Sequence, residues 1–305
     1  MNLQQLKYLC AVVESKFSIS KASDRLYTSQ PGISKQIQLF ERELGVTLLE
    51  RRGNRIIGLT QPGKEVYAIA QRMLSDSGNI KKIGEEFSSK NQGLLTVATT
   101  HIHARYTLPK IINKFRDLYP NVTVSLRQGN PAEIASWIIS GEVDLAISAA
   151  GSEAHEELVL IPHSKIDRCI LFLPEHPLGK IKSLTLEVLA QYPLISLDTN
   201  FAGGSSVKEV FESSGLKPNI VLRAADTDVI KTYVEIGHGV AIVPATAFDS
   251  SRDNRIRHLD ASHLFPSTPI FIQIRQGKYL RQYMEDFIAM VRAAEPQNPG
   301  GKPPL

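Results

Sequence analysis

Tyr27-Thr28-Ser29-Gln30-Pro31-Gly32-Ile33-Ser34-Lys35-Gln36-Ile37-Gln38-Leu39-Phe40-Glu41 decides how the amino-terminal end of this chain folds. It predicts a tight turn running into a helix. Thr28 and Ser29 are available as N-caps, and Pro31 sits near the helix start, where a missing N–H costs nothing. Ile33, Ile37, Phe40 and Leu44 recur at helical spacing and make one apolar face. The opposite face carries Pro31, Lys35, Gln38 and Arg42, with Ser34 on its flank, and such side chains suit phosphates and base edges. Upstream, Ile19-Ser20-Lys21-Ala22-Ser23-Asp24-Arg25-Leu26 predicts a short first helix capped by Ser18 or Ser20. Two helices joined by a short turn, the second polar on its outside, describe a helix-turn-helix. Any pair of packed surface helices would share this periodicity, so charge has to separate the two.

Residues 1–64 hold ten Lys/Arg against five Asp/Glu, a net of +5, while residues 65–305 hold 25 and 26, a net of −1. The whole positive excess lies on the segment with the helix pair. Phosphate neutralisation with counterion release supplies much of the affinity for duplex DNA, so a DNA-reading end requires this placement.

Leu48-Leu49-Glu50-Arg51-Arg52-Gly53-Asn54-Arg55-Ile56-Ile57-Gly58-Leu59-Thr60 places Gly-Asn between two apolar runs, a hairpin signal, with three arginines around the turn. After a recognition helix, a basic hairpin reads as the wing of a winged helix; alone, it would equally suit a solvated hairpin. Thr60-Gln61-Pro62-Gly63-Lys64 then starts a long helix. Val66, Ile69, Met73, Ile80, Ile83 and Phe87 fill its heptad positions except at Asp76. That pattern predicts a dimer seam, and packing on its own domain is the alternative.

The chain of 305 residues is long enough for two or three domains with ample core. Its two cysteines, Cys10 and Cys169, suggest neither a disulfide framework nor a Cys-rich metal site. No signal-peptide pattern or bilayer-length apolar run is present, which makes the cytoplasm the expected location and a membrane no partner. Residues 295–305 are rich in Pro and Gly and are expected to be a flexible tail. Residues 93 to about 292 alternate strand and helix patterns, which argues α/β sheets.

Two strand-to-helix loops stand out: Thr99-Thr100-His101-Ile102-His103 and Asp198-Thr199-Asn200-Phe201-Ala202-Gly203-Gly204-Ser205-Ser206. Exposed N–H groups and hydroxyls there would favour an anion. Helix capping uses the same atoms, and the sequence does not separate the two uses. Gly237-His238-Gly239 leads into another apolar strand, where His238 is expected to be structural.

The first ninety residues resemble the DNA-binding domain and linker helix of the LysR-type transcriptional regulators. The resemblance rests on the opening helix Leu3-Gln4-Gln5-Leu6-Lys7-Tyr8-Leu9, the Ser-Gln-Pro turn, Ser34 and Gln36 flanking Lys35, Leu44-Gly45, and Leu59-Thr60 followed by Gly63. It continues to about Val291. The implied fold is α/β: an N-terminal winged helix-turn-helix (1–64), a long linker or dimerisation helix (65–90), and a two-lobed, periplasmic-binding-protein-like effector domain (93–292). Lobe I would span 93–163 and 268–292, and lobe II 164–267. Candidate DNA contacts are Ser18, Thr28, Ser29, Gln30, Pro31, Ser34, Lys35, Gln38, Arg42, Arg52 and Arg55. The resemblance implies a homodimer through the linker and a homotetramer on promoter DNA.

Within this family the chain is similar to the CysB-like branch, which governs sulfate assimilation and cysteine biosynthesis. The carrying residues include Ala98-Thr99-Thr100-His101, Ala104-Arg105-Tyr106 and Asp228-Val229-Ile230-Lys231-Thr232-Tyr233-Val234. The resemblance implies an effector contacting Thr100, Ile102, His103, Ala149 and Ala202, of the acetylserine, sulfate, thiosulfate or sulfonate class. The chain departs from the branch there. Ile102-His103 replaces Thr-Gln, Ala149 and Ala202 replace threonines, and Ile166 replaces a tryptophan. Lost hydroxyls weaken a sulfate site. His103 would compensate if protonated, or else merely cap a helix. A regulator of sulfonate or organic-acid metabolism is therefore the alternative.

An enzyme is the second class. Ser205 and Ser206 lie near glycines, but no nucleophile elbow, zinc-protease motif, phosphate loop or dinucleotide fingerprint accompanies them. No catalytic residue, metal ligand or cofactor is expected. A transport binding protein, the third class, would lack the basic head.

Overall fold

A computed structural model describes residues 1–53, 55–88, 92–151 and 155–294. Asn54 of the hairpin turn, residues 89–90 of the expected linker and the expected tail 295–305 lie outside the described residues. The chain forms two compact units, one of Met1–Ser88 with Gly277–Tyr279 and one of the remainder.

The first unit opens with α1 (Leu3–Glu14), started by a reciprocal capping box between Asn2 and Gln5. α2 (Ile19–Arg25) and α3 (Gln30–Leu44) follow. Ser18, not Ser20, caps α2 by accepting from the Lys21 N–H, and Ser29 caps α3 by accepting from Gly32. Ile33, Ile37 and Phe40 are buried against Leu6, Leu9 and Val12. Leu44 is exposed instead, because the last turn of α3 runs past this core. β1 (Leu49–Arg52) and β2 (Arg55–Leu59) make the antiparallel hairpin and add Leu49 and Ile56 to the same core.

α4 (Gln61–Ser88) begins four residues before the expected linker boundary, because the Thr60 hydroxyl caps it by accepting from the Gly63 N–H at 3.0 Å. A Cβ on Gly63 would lie 2.0 Å from the Leu48 carbonyl oxygen, so only glycine lets the helix start this close to the hairpin. The helix carries two apolar stripes. Val66, Tyr67, Ala70 and Leu74 pack on the head core, while Ile69, Met73, Ile80 and Ile83 are exposed. Val66, expected on the seam, thus belongs to the head.

The second unit holds two five-stranded sheets. In the first, β3 (Gly93–Thr99) pairs parallel with β4 (Val122–Gln128) and β5 (Leu145–Ser148). A π-helical turn at His103–Thr107 leads into α5 (Leu108–Leu118), and α6 (Pro131–Ser140) follows β4. β6 (Leu158–Ile166) is an unexpected edge strand; Pro162 and a register shift obscure its alternation. β7 (Arg168–Phe172) opens the second sheet. The chain therefore crosses at Asp167 rather than near residue 163, since Ile166 still pairs with Thr268 of the first sheet.

Next come α7 (Leu186–Leu189), β8 (Pro193–Leu197), α8 (Ala202–Ser213), β9 (Asn219–Ala224), α9 (Thr227–Glu235), β10 (Val240–Pro244) and β11 (Arg257–Asp260). β8 pairs parallel with β9 and β10, while β7 and β11 run antiparallel. β12 (Thr268–Arg275) returns to the first sheet between β5 and β6, and α10 (Gln282–Ala293) closes that core with Phe287 against Phe115.

Candidate functional site

On the head, Gln30, Pro31, Lys35, Gln38 and Arg42 are exposed along α3, and Thr28 and Ser34 are half-buried. Ser18, Gln30, Arg52 and Arg55 line one surface groove of about 880 Å³ together with Lys16. The start of α2, the start of α3 and the hairpin therefore present a common face. Arg52 and Arg55 stand directly opposite each other across the hairpin, an arrangement that costs stability unless an anion lies near. Ser18 and Ser29 accept backbone bonds as caps, but a hydroxyl that accepts can still donate to a phosphate. Glu41, which the sequence reading passed over, accepts from the Leu48 and Leu49 N–H groups at 2.8 and 3.1 Å. It ties the hairpin to α3.

In the second unit, Thr100, Ile102, His103, Ala149 and Ala202 line a single cavity of about 60 Å³ with Arg168, Phe201, Gly203 and Thr268. The cavity lies where β3, β5, β8 and β10 end at their carboxyl termini, the usual ligand position in parallel α/β sheets. Buried Gln273 holds the rim in place, donating to the Ala149 carbonyl at 3.1 Å and the Ser148 hydroxyl at 2.8 Å.

No side chain caps the π-turn, α5 or α8. α8 starts at Ala202, inside the stretch expected to be loop, so its bare first turn borders the cavity. His103 neither caps a helix nor carries charge. Its Nδ1 lies 3.2 Å from the Thr107 hydroxyl, and burial, with His163 nearby, lowers its pKa to about 4. An imidazole sealed from water stays neutral because its cation loses solvation.

The cavity's charge comes from a residue the sequence reading missed. Arg168 is 2% exposed. Burial pulls its pKa to about 10, which leaves it a cation at neutral pH. Its only sequence signal was a lone arginine heading the apolar run Cys169-Ile170-Leu171-Phe172.

Residues 3–64 match the family model described as bacterial regulatory helix-turn-helix protein, lysR family, and residues 88–296 match the LysR substrate binding domain. The chain belongs to the LysR family. It is a DNA-binding transcriptional regulator and not an enzyme. This LysR-type regulator is 42% identical over 290 residues to the HTH-type transcriptional regulator SsuR of Burkholderia cenocepacia, covering 95% of this chain and 94% of that one. It is 41% identical to the HTH-type transcriptional regulator CysB of Haemophilus influenzae, covering 94% and 89%. Its effector domain is similar to the crystal structure of the cofactor-binding domain of the Cbl transcriptional regulator, with TM-score 0.63 and 36% identity. That match covers 67% of this chain and 90% of the other.

Cys10 and Cys169 are buried with thiol pKa values pushed up to about 12, so neither is a nucleophile at neutral pH. Among the described residues, no helix is long and apolar enough to cross a membrane.

Proposed function

We infer that this regulator controls genes of sulfur assimilation or cysteine biosynthesis in the cytoplasm, in response to a small anion held between the two lobes. Residues 1–64 read promoter DNA, and the helix over 65–90 pairs two protomers through Ile69, Met73, Ile80 and Ile83. Pairs of dimers form the tetramer. The observation carrying the DNA assignment is the groove that brings Ser18, Gln30, Arg52 and Arg55 together on the cationic head. The likeness to CysB and SsuR supports the sulfur assignment. Thr100, Ile102, His103, Ala149 and Ala202 are assigned to the effector because they share one cavity.

A gel shift on the DNA upstream of the gene itself tests the first half, and binding weakened by rising salt is expected. Thermal-shift titration with acetylserines, sulfate, thiosulfate and alkyl sulfonates tests the second. No response to any of these, with a response to an unrelated aromatic acid, would overturn the sulfur assignment.

A further inference from the structure

Arg168 forms no ion pair among the described residues. Its Nη1 donates to the Ile166 carbonyl at 3.4 Å and its Nη2 to the Thr268 hydroxyl, while its buried Nε–H has no partner. Asp167 offsets part of this charge through space without pairing with it, and a guanidinium taken out of water with so little compensation is costly, so the fold is short of an anion. The first turn of α8 borders the same cavity, packed close beside the guanidinium. It has no side-chain cap, and helix N-termini favour negative charge. Gly203 in that turn keeps the approach open, because a Cβ there would sit 3.2 Å from Nη2.

The rest of the lining limits what the anion can be. Arg168 and neutral His103 are the titratable groups on the cavity wall, so one positive charge faces the ligand. Hydroxyls come from Thr100 and Thr268, and the walls between them are apolar, with Ile102, Ala149, Ile166 and Ala202 among them. A dianion such as sulfate would find no second cation there, only two hydroxyls and one uncapped helix turn for its second charge. The cavity is small, about 60 Å³, which favours a compact carbon body.

We propose that this cleft selects a monoanion with a short alkyl body, its head on Arg168 and its carbons on Ile102, Ile166 and Ala202. Sulfonates and carboxylates share this chemistry. The inference rests on the lobe cavity being the effector site.

The test is calorimetric titration of the full-length protein, at constant ionic strength, with methanesulfonate, ethanesulfonate, propionate and sulfate. At least one monoanion should bind about tenfold or more tighter than sulfate, and comparison of sulfonate with propionate identifies the head group. Arg168→Gln should weaken that ligand about a hundredfold or more, with the unliganded melting temperature unchanged or raised, since an unpaired buried charge is gone. Ala149→Thr, which restores a hydroxyl and keeps Arg168, should narrow the preference over sulfate. Sulfate binding as tightly as every monoanion would overturn the proposal, as would Arg168→Gln retaining wild-type affinity. A protein that binds its own promoter but none of these anions also defeats it, and leaves the regulator assignment standing.

Discussion

Tyr106 donates its phenolic hydrogen to Asp228 across the cleft, at 2.6 Å. Lys231 donates to the same phenolic oxygen at 3.0 Å and to Asp253 at 2.7 Å, and Arg105 pairs with Asp228. Burial works against the Lys231 charge, but its bonds to Asp253 and Tyr106 outweigh that and hold its pKa above the ordinary value. The π-turn that carries His103 is thereby clasped to α9 of the opposite lobe. Tyr106→Phe should lower the stability of the effector domain by about 1–3 kcal/mol, toward the low end because Asp228 keeps contact with water. Chemical denaturation reads this, and faster amide exchange in α9 should accompany it. An unchanged midpoint would show that the clasp does not hold the lobes.

His103 sets an acid limit on stability. The unfolded chain takes up its proton near pH 6.5, whereas the folded chain resists until about 4. Between these values the unfolded state binds more protons, so stability falls as pH drops through that window, by about 3 kcal/mol at most. His163, also lowered by burial, acts with the same sign. His103→Gln should flatten stability between pH 6.5 and 4 in urea melts. A slope identical to wild type would remove His103 from the account.

The two parts of the DNA face should fail differently. Lys35→Ala or Gln38→Ala should cost about 1–3 kcal/mol and change site preference if the side chain reads a base. Arg52→Ala or Arg55→Ala should weaken all sequences alike and reduce the salt slope by about one unit each. Fluorescence anisotropy across salt concentrations distinguishes the patterns. Wild-type behaviour in both sets would mean that α3 faces elsewhere.

Ile80 is 71% exposed on the outer stripe of α4. Ile80→Asp should shift sedimentation from dimer or tetramer toward monomer while the head core, built on the other stripe, keeps its fold. Retention of the full oligomer would rule out pairing through this stripe.

Gly63→Ala probes the joint between hairpin and helix. The added methyl meets the Leu48 backbone, and such overpacking costs about 1–3 kcal/mol. Thermal melting of the full chain should show the amino-terminal unit destabilised, with the effector domain unaffected.

The amino-terminal unit was legible because its signals are local: caps at Ser18 and Ser29, helical spacing of Ile33, Ile37 and Phe40, and Gly-Asn between short strands. Leu44 and Val66 were misread because periodicity gives a face but not where the neighbouring core ends. β6 and β11 escaped because edge strands lack clean alternation. At the candidate site, Thr100, Ile102, His103, Ala149 and Ala202 do converge, yet the role suggested for His103 did not survive burial. Arg168 stayed hidden for a related reason. An apolar run announces a buried strand, but only the packed structure reveals that the arginine at its head forms no ion pair among the described residues.

The two chain crossings between the lobes are fastened to one another. Ser267 donates to Asp167, and Arg168 donates to Thr268 one residue further along both strands. With two neighbouring side-chain ties, the crossings are coupled rather than independent. Arg168 is itself one of those ties, so a change at its guanidinium reaches both crossings at once.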